Sequence, residues 1–209
     1  MIHVVLCDDH AMIRRGIRDT LVDSGSISIT GEAASQQELK EVLKTAPCAV
    51  LVLDLNLPGR GGLEILSWVK EDLPHIKILI VSMYPEDQYA IRCLKAGASG
   101  YLNKAGDPSD LVKAIQQIHA GKKFITPAVS EMLVESLATP QNETLHARLS
   151  EREMQTLIKI ASGKKLSDIA EDLMLSPKTV SVYRARLLEK LSLANNAELT
   201  VYAIRNGLV

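Results

Sequence analysis

The sequence predicts a two-part chain, a doubly wound α/β domain followed by a smaller all-α domain, and three observations carry that expectation. Apolar strand-like runs alternate with helical periodicity up to about residue 122, the alternation then stops, and the last sixty or so residues need only helices. A chain of 209 residues has room for one sizeable core and one small one, and its 46% hydrophobic content excludes a largely disordered polypeptide.

His3–Cys7 reads as the first strand, after which Ile13, Ile17 and Leu21 recur at helical spacing. Ser28–Thr30 is a short second strand. Leu39, Val42 and Leu43 mark the second helix, ahead of the very apolar Ala49–Leu53. The third helix begins near Gly61 or Gly62 and turns Leu63, Leu66 and Val69 inward. Ile76–Val81 is the fourth strand, followed by a helix over about 86–96 that closes on Ala96-Gly97. Ser99–Leu102 is the fifth strand. Asp107-Pro108 then opens a fifth helix with Leu111, Ile115 and Ile118 on one stripe, ending at Gly121. The central strands are apolar on both faces, as strands covered on both sides by helices must be.

Beyond residue 122 the pattern weakens. Pro127–Leu137 reads as a short helix, while Thr139, Pro140, Gln141, Asn142 and Glu143 have the character of a linker. Ser150-Glu151-Arg152-Glu153 is a capping box opening a helix with Leu157, Ile158 and Ala161, which stops at Gly163. A second short helix covers about 167–173. Ser176-Pro177 supplies an N-cap and a first-turn proline for a third helix through Leu191, and a fourth runs from Glu198 to Arg205, closing on Asn206-Gly207. The resulting division is 1–122 for the α/β domain, 123–148 for a short helix and flexible linker, and 149–209 for four helices.

The net charge of −1 hides an uneven distribution. Residues 1–122 carry 13 Lys+Arg against 15 Asp+Glu, whereas 149–209 carry 9 against 7, and over 176–190 Lys178, Arg184, Arg186 and Lys190 face Glu189 alone. Such a local excess suits a nucleic-acid surface. Cys7, Cys48 and Cys93 lie in apolar surroundings without metal-ligand spacing, as core thiols of a reducing compartment do. Neither a secretory leader nor an apolar run of transmembrane length is present, so no membrane insertion and a cytoplasmic location are expected.

Strand C-termini of an open parallel sheet lie along one edge, where ligands bind. Asp8 and Asp9 close the first strand, Asp54 the third, Ser82 the fourth, and Lys104 follows the fifth. Three carboxylates, a hydroxyl and an ammonium therefore converge, with the first and third strands adjacent in the flavodoxin-like order. The set suits a divalent metal and a phosphoryl group. Mg²⁺, with Mn²⁺ as substitute, would be held directly by Asp9 and Asp54 and through water by Asp8. Asp54 is the candidate phosphoryl acceptor, Lys104 a mobile positive charge, and the Ser82 hydroxyl a donor to a phosphoryl oxygen. A phosphohydrolase is the competing chemistry, but nucleophilic-aspartate hydrolases resembling the haloacid dehalogenases place an acid two residues after the nucleophile. Here that residue is Asn56, whose amide cannot deliver a proton.

In the C-terminal part, Leu166–Leu173, the turn Met174-Leu175-Ser176 and Pro177–Leu191 form a helix-turn-helix pattern. Val180, Tyr183, Leu187 and Leu191 give the inward stripe, leaving Lys178, Ser181, Val182, Ala185 and Arg186 largely outward. Short Ser181 and Val182 would meet base edges, with Val182 suited to a thymine methyl, while Lys178, Arg184 and Arg186 have the reach for phosphates.

These residues together resemble the two-domain response regulators of the NarL/FixJ family, over nearly the whole chain. The resemblance implies receiver residues Asp8, Asp9, phosphoacceptor Asp54, switch hydroxyl Ser82, switch aromatic Tyr101 and Lys104, with the Asn56 carbonyl as third protein ligand of the metal. Leu57-Pro58-Gly59 with Gly62, and Ala96–Tyr101, match the family's loops; the proline that many receivers carry after the lysine is replaced by Ala105. Leu149–Glu153, Gly163, Ile169-Ala170, Ser176, Thr179-Val180 and Lys190-Leu191 match LuxR-type domains, adding Thr179, Ala185 and Lys190 to the implied DNA contacts. Tyr183–Arg186 looks like the GacA/EvgA subgroup. The resemblance implies a phosphorylation-controlled transcriptional regulator, not an enzyme, that takes phosphate from a sensor histidine kinase and binds paired half-sites of a double-stranded DNA operator as a homodimer. In it, a phosphoryl group draws in Ser82, Tyr101 turns into the vacated space, and the fourth and fifth helices form the moving surface. The last helix, with Leu199, Val201, Tyr202 and Ile204, resembles the family's dimerisation helix, although core packing also accounts for those residues. A DNA-binding regulator without effective phosphoryl control is the alternative, and an aspartate-dependent phosphohydrolase a further one.

Overall fold

A computed structural model describes residues 1–57, 61–138 and 145–209. Pro58-Gly59 of the loop motif and the linker residues Thr139–Glu143 lie outside the described residues. The chain divides into two compact units, Met1–Ala138 and Thr139–Val209. Among the described residues no helix is long and apolar enough to cross a membrane.

The first unit alternates strand and helix: β1 (Ile2–Cys7), α1 (Ala11–Asp23), β2 (Ile27–Ala33), α2 (Gln36–Thr45), β3 (Val50–Leu53), α3 (Gly62–Asp72), β4 (Lys77–Ser82), α4 (Glu86–Lys95), β5 (Gly100–Asn103), α5 (Pro108–His119) and α6 (Pro127–Ala138). All strand pairs are parallel, in the order β2-β1-β3-β4-β5. This is the flavodoxin-like sheet, with β1 and β3 adjacent at the point where the winding reverses. The core on one side of the sheet gathers Val4, Leu6, Val50, Val52, Leu79 and Val81 against Leu21 of α1 and Leu111, Ile115 and Ile118 of α5. Strands buried on both faces cannot show period-two alternation, which is why β3 reads as an unbroken apolar run. Edge strand β2 is longer than expected. Only Ile27 and Ala33 are buried, and polar Thr30 and Glu32 are only half-buried, so composition marks just its middle.

Helix ends follow their local chemistry. Ser35 caps α2 by accepting from the Glu38 N–H, and Asp107 caps α5 by accepting from the Ser109 N–H ahead of Pro108. Gly97 leaves α4 with φ +104°, a conformation costly for any residue with a Cβ. Beyond α5 the chain returns to the sheet edge. The Phe124 N–H donates to the Ser99 carbonyl at 2.9 Å, Thr126 Oγ1 donates to Glu86 Oε2 at 2.5 Å, and α6 packs along α4. Of the cysteines, Cys7 and Cys93 are buried and Cys48 half-buried; burial pushes the Cys7 and Cys48 thiols up to about 12.

The second unit holds a 3₁₀ turn, η1 (Leu145–Arg148), then α7 (Glu151–Ala161), α8 (Leu166–Asp172), α9 (Pro177–Leu191) and α10 (Asn196–Arg205). Leu157, Ile160, Ile169, Leu173, Val180, Leu187, Leu191, Leu199 and Ala203 are buried. Residues 145–148 belong to this unit, since η1 packs on α9 and the Tyr202 hydroxyl of α10 meets both His146 Nδ1, at 3.0 Å, and the His146 N–H, at 3.2 Å. The capping box forms as expected, with Ser150 accepting from the Glu153 N–H and Glu153 Oε2 from the Ser150 N–H.

Candidate phosphoryl-acceptor site and nucleic-acid interface

Ladder hydrogen bonds run past the strand ends and fix the backbone of the acidic edge. The Asp8 N–H donates to the Ala33 carbonyl, the Asp54 N–H to the Cys7 carbonyl at 2.9 Å, and the Lys104 N–H to the Ser82 carbonyl at 2.8 Å. Residues distant in sequence are thereby held at one edge. Lys104 Nζ lies 2.8 Å from Asp54 Oδ2 and 2.7 Å from Asp8 Oδ2, all three side chains being nearly sealed from solvent. Asp54 Oδ1 accepts from the Asn56 N–H at 3.2 Å. Burial raises the Asp54 carboxyl above its ordinary range, and the Lys104 charge only partly opposes this. Burial works against the Lys104 ammonium too, but Asp54 and Asp8 outweigh it and hold that group above the ordinary lysine range. The close approach of α3 depends on Gly62. A Cβ there would fall 2.5 Å from Leu55 Cα and 2.6 Å from the Asp54 carbonyl oxygen.

Ligand atoms of Asp8, Asp9, His10 and Asp54 all lie within 4.8 Å of one another. Asp9 Oδ1 is buried with no hydrogen-bond partner among the described residues, an acceptor left for a cation, so the oxygen-rich donor set fits a divalent metal.

Ser82 is fully buried and its Oγ accepts from the Tyr84 N–H at 3.3 Å. Tyr101, the expected switch aromatic, lies buried beside this strand end. It is 2% exposed, its hydroxyl donates to the Tyr84 carbonyl at 2.7 Å, and burial raises its pKa. Asn103 Nδ2 donates to the same carbonyl at 3.1 Å.

In the second unit, α9 is opened by Ser176, which accepts from the Thr179 N–H at 3.1 Å. Val180, Leu187 and Leu191 are buried, whereas Tyr183 of the expected inward stripe is only half-buried. Lys178, Ser181, Val182, Ala185 and Arg186 are exposed, Thr179 is half-buried, and Lys178, Thr179, Val182 and Arg186 border one shallow depression. Two expected DNA contacts are otherwise engaged. Arg184 Nε donates to Asn196 Oδ1 at 2.5 Å, and Lys190 Nζ to Glu153 Oε2 at 2.7 Å, so each ties α9 to a neighbouring helix.

Residues 4–116 match the response regulator receiver domain family, and 147–203 match the bacterial regulatory proteins of the luxR family. Along its whole length the chain is 37% identical to response regulator UvrY of Escherichia coli K12, covering 96% of it, and 37% identical to response regulator GacA of Pseudomonas protegens, covering 98%. The chain is a two-domain response regulator of the NarL/FixJ type.

Among solved structures, this response regulator is similar to RcsB of Salmonella enterica serovar Typhimurium bound to promoter P1flhDC in the presence of the phosphomimetic BeF₃⁻. The match has 29% identity and a TM-score of 0.61, and covers 96% of this chain and 97% of that one. Membership in a family of phosphorylation-controlled DNA-binding regulators sets aside the phosphohydrolase alternative. Sequence reasoning missed three residues of the regulator's acidic edge. The His10 N–H donates to Asp8 Oδ1 at 2.8 Å, and Arg14, which bonds the Asp8 carbonyl at 2.6 Å, is itself held by Glu32. Tyr84, whose carbonyl collects two bonds, follows Ser82 by two residues. Only His10 carried a signal, as an imidazole directly after Asp8-Asp9.

Proposed function

We propose that the regulator accepts a phosphoryl group on Asp54 from a sensor histidine kinase, in the cytoplasm, and that phosphorylation controls DNA reading by α9. The observation that carries this reading is Lys104 shared between Asp54 and Asp8, beside an Asp9 oxygen that accepts no hydrogen bond among the described residues. An Asp54 carboxylate oxygen forms the new P–O bond as the donor's P–N bond breaks. Asp9 and Asp54, with the Asn56 carbonyl, would hold Mg²⁺ or Mn²⁺ directly and Asp8 through water; when bound, the cation screens Asp54 from the incoming dianion. Lys104, already charged and within hydrogen-bond distance, follows the negative charge onto the phosphoryl oxygens. The Ser82 hydroxyl donates to another of them.

Drawing Ser82 toward the phosphoryl group loosens its contact with the Tyr84 N–H, and the Tyr84 carbonyl is what holds Tyr101 and Asn103. The Tyr84 ring stacks on Tyr89 of α4, 4.7 Å between centroids, and α4 carries α6. Local charge change and helix packing are thus joined, as a two-state switch requires. On the DNA side, Ser181, Val182 and Ala185 read bases, Lys178, Thr179 and Arg186 grip phosphates, and Arg184 and Lys190 orient the helix. Val201 and Ile204 of α10 stand 47% and 59% exposed, so core packing does not account for them. We assign them to a homodimer that binds paired operator half-sites. Mass spectrometry after incubation with a phosphohistidine donor tests the reading. A phosphoryl adduct should form in the wild type with Mg²⁺, and be absent from Asp54→Asn and from EDTA-treated protein; labelling that ignores either change refutes it.

A further inference from the structure

We propose that His10 is a nitrogen ligand of the same divalent site, making it a mixed nitrogen–oxygen centre that selects Mn²⁺ and kindred transition ions over Mg²⁺. This deepens the metal reading given above and rests on it. Three observations converge. First, His10 Nδ1 lies 2.8 Å from Asp9 Oδ1 and 3.5 Å from Asp8 Oδ1. Second, Asp9 Oδ1 nonetheless has no hydrogen-bond partner among the described residues, although the Asp9 side chain is only 10% exposed; the ring nitrogen is close without being aimed as an N–H donor. Two donor atoms set this way match neighbouring corners of an octahedron with bonds of about 2.1 Å, whose edge is about 3.0 Å. Third, His10 is the N-cap residue of α1, yet its side chain caps nothing: its backbone N–H bonds Asp8, and its imidazole is left to the acidic edge.

The consequence is chemical. Mg²⁺ prefers oxygen and keeps its waters, whereas imidazole strengthens binding of first-row transition ions along the Irving–Williams order. An oxygen-only site would discriminate far less. The competing role is an outer-shell one, in which the His10 ring steers the Asp9 carboxylate without touching the ion.

The test uses the full chain with Mn²⁺ and Mg²⁺ as probes, comparing wild type, His10→Ala and His10→Gln by calorimetry, and by pulsed EPR for a directly coordinated ¹⁴N. The expected result is a strong ¹⁴N coupling on bound Mn²⁺ in the wild type that both variants lose. Mn²⁺ affinity should fall on the order of tenfold in the variants, with Mg²⁺ affinity changed much less. Bound Mn²⁺ without that coupling in the wild type, or equal losses for both ions in the variants, overturns the nitrogen ligand and leaves the oxygen site standing. If neither ion binds the wild type, or Asp54→Asn binds both unchanged, the metal reading falls and this inference with it.

Discussion

Asp54 is a carboxylate held where its charge is least welcome, beside Asp8 and almost sealed from water. Its folded pKa is raised, so its ionisation destabilises the native state progressively as pH climbs from the ordinary aspartate value of about 3.9 through the folded value. Asp54→Asn should therefore stabilise the metal-free first unit by on the order of 1 kcal/mol at pH 7, a gain that disappears near pH 3. Urea titrations at the two pH values check it, and a loss of stability at pH 7 would show that the Lys104 pairing dominates instead. Gly62 makes the opposite point. A methyl group there meets backbone, so Gly62→Ala should cost about 2 kcal/mol or more and slow phosphoryl uptake by displacing Asp54. Outside its own helix, no described residue comes within 4 Å of a Cβ added at Gly16 of α1, so Gly16→Ala should raise stability by up to about 1 kcal/mol and leave uptake alone.

Helices of the second unit are located by clips rather than by apolar packing alone. Burial pushes the Glu153 carboxyl up, but Lys190 and the Ser150 N–H outweigh that and hold it below the usual range. The stabilisation is accordingly present above the ordinary glutamate pKa of about 4.3 and lost as pH falls through the lower folded value. Lys190→Met should cost about 1 kcal/mol at pH 7 and progressively less as the pH falls through the folded carboxyl's lowered value, followed by thermal melts of the second unit. On α9 itself, specificity and affinity should separate. Val182→Ala should change base preference at one position by roughly 1–3 kcal/mol, whereas Arg186→Ala should weaken all sites alike and lower the salt slope by about one. Competition binding across operator variants in a salt series distinguishes them; identical uniform losses would mean that Val182 does not face bases.

At the scale of the whole molecule, compositional boundaries and packing boundaries differ. Composition places the start of the second domain at residue 149, whereas His146 is already bonded to Tyr202 of α10. Fragments 145–209 and 149–209 should both fold, but the longer should melt higher by about 5 °C for each kcal/mol that the contact contributes. Tyr202→Phe should remove that advantage in the longer fragment and leave the shorter one unchanged. Equal melting points for the two fragments would mean that η1 contributes no stability.

The alternation of strand and helix, the five-stranded parallel sheet and the helix-turn-helix were legible in the residues alone, because apolar period and capping chemistry are local. So was the sharing of one edge by Asp8, Asp54, Ser82 and Lys104, since the winding rule alone places strand ends together. The extent of β2 was not legible, because a half-exposed edge strand lacks a continuous apolar run. Where side chains point from loops and helix ends was set by packing between distant elements. His10 turned toward Asp9, Tyr101 settled inward on the Tyr84 carbonyl, and Arg184 and Lys190 reached Asn196 and Glu153. Those outcomes depend on partners 12 to 37 residues away for the two helix cations, and on loop backbone for His10. No periodicity encodes such distances, because they are set by which surfaces meet when the cores close.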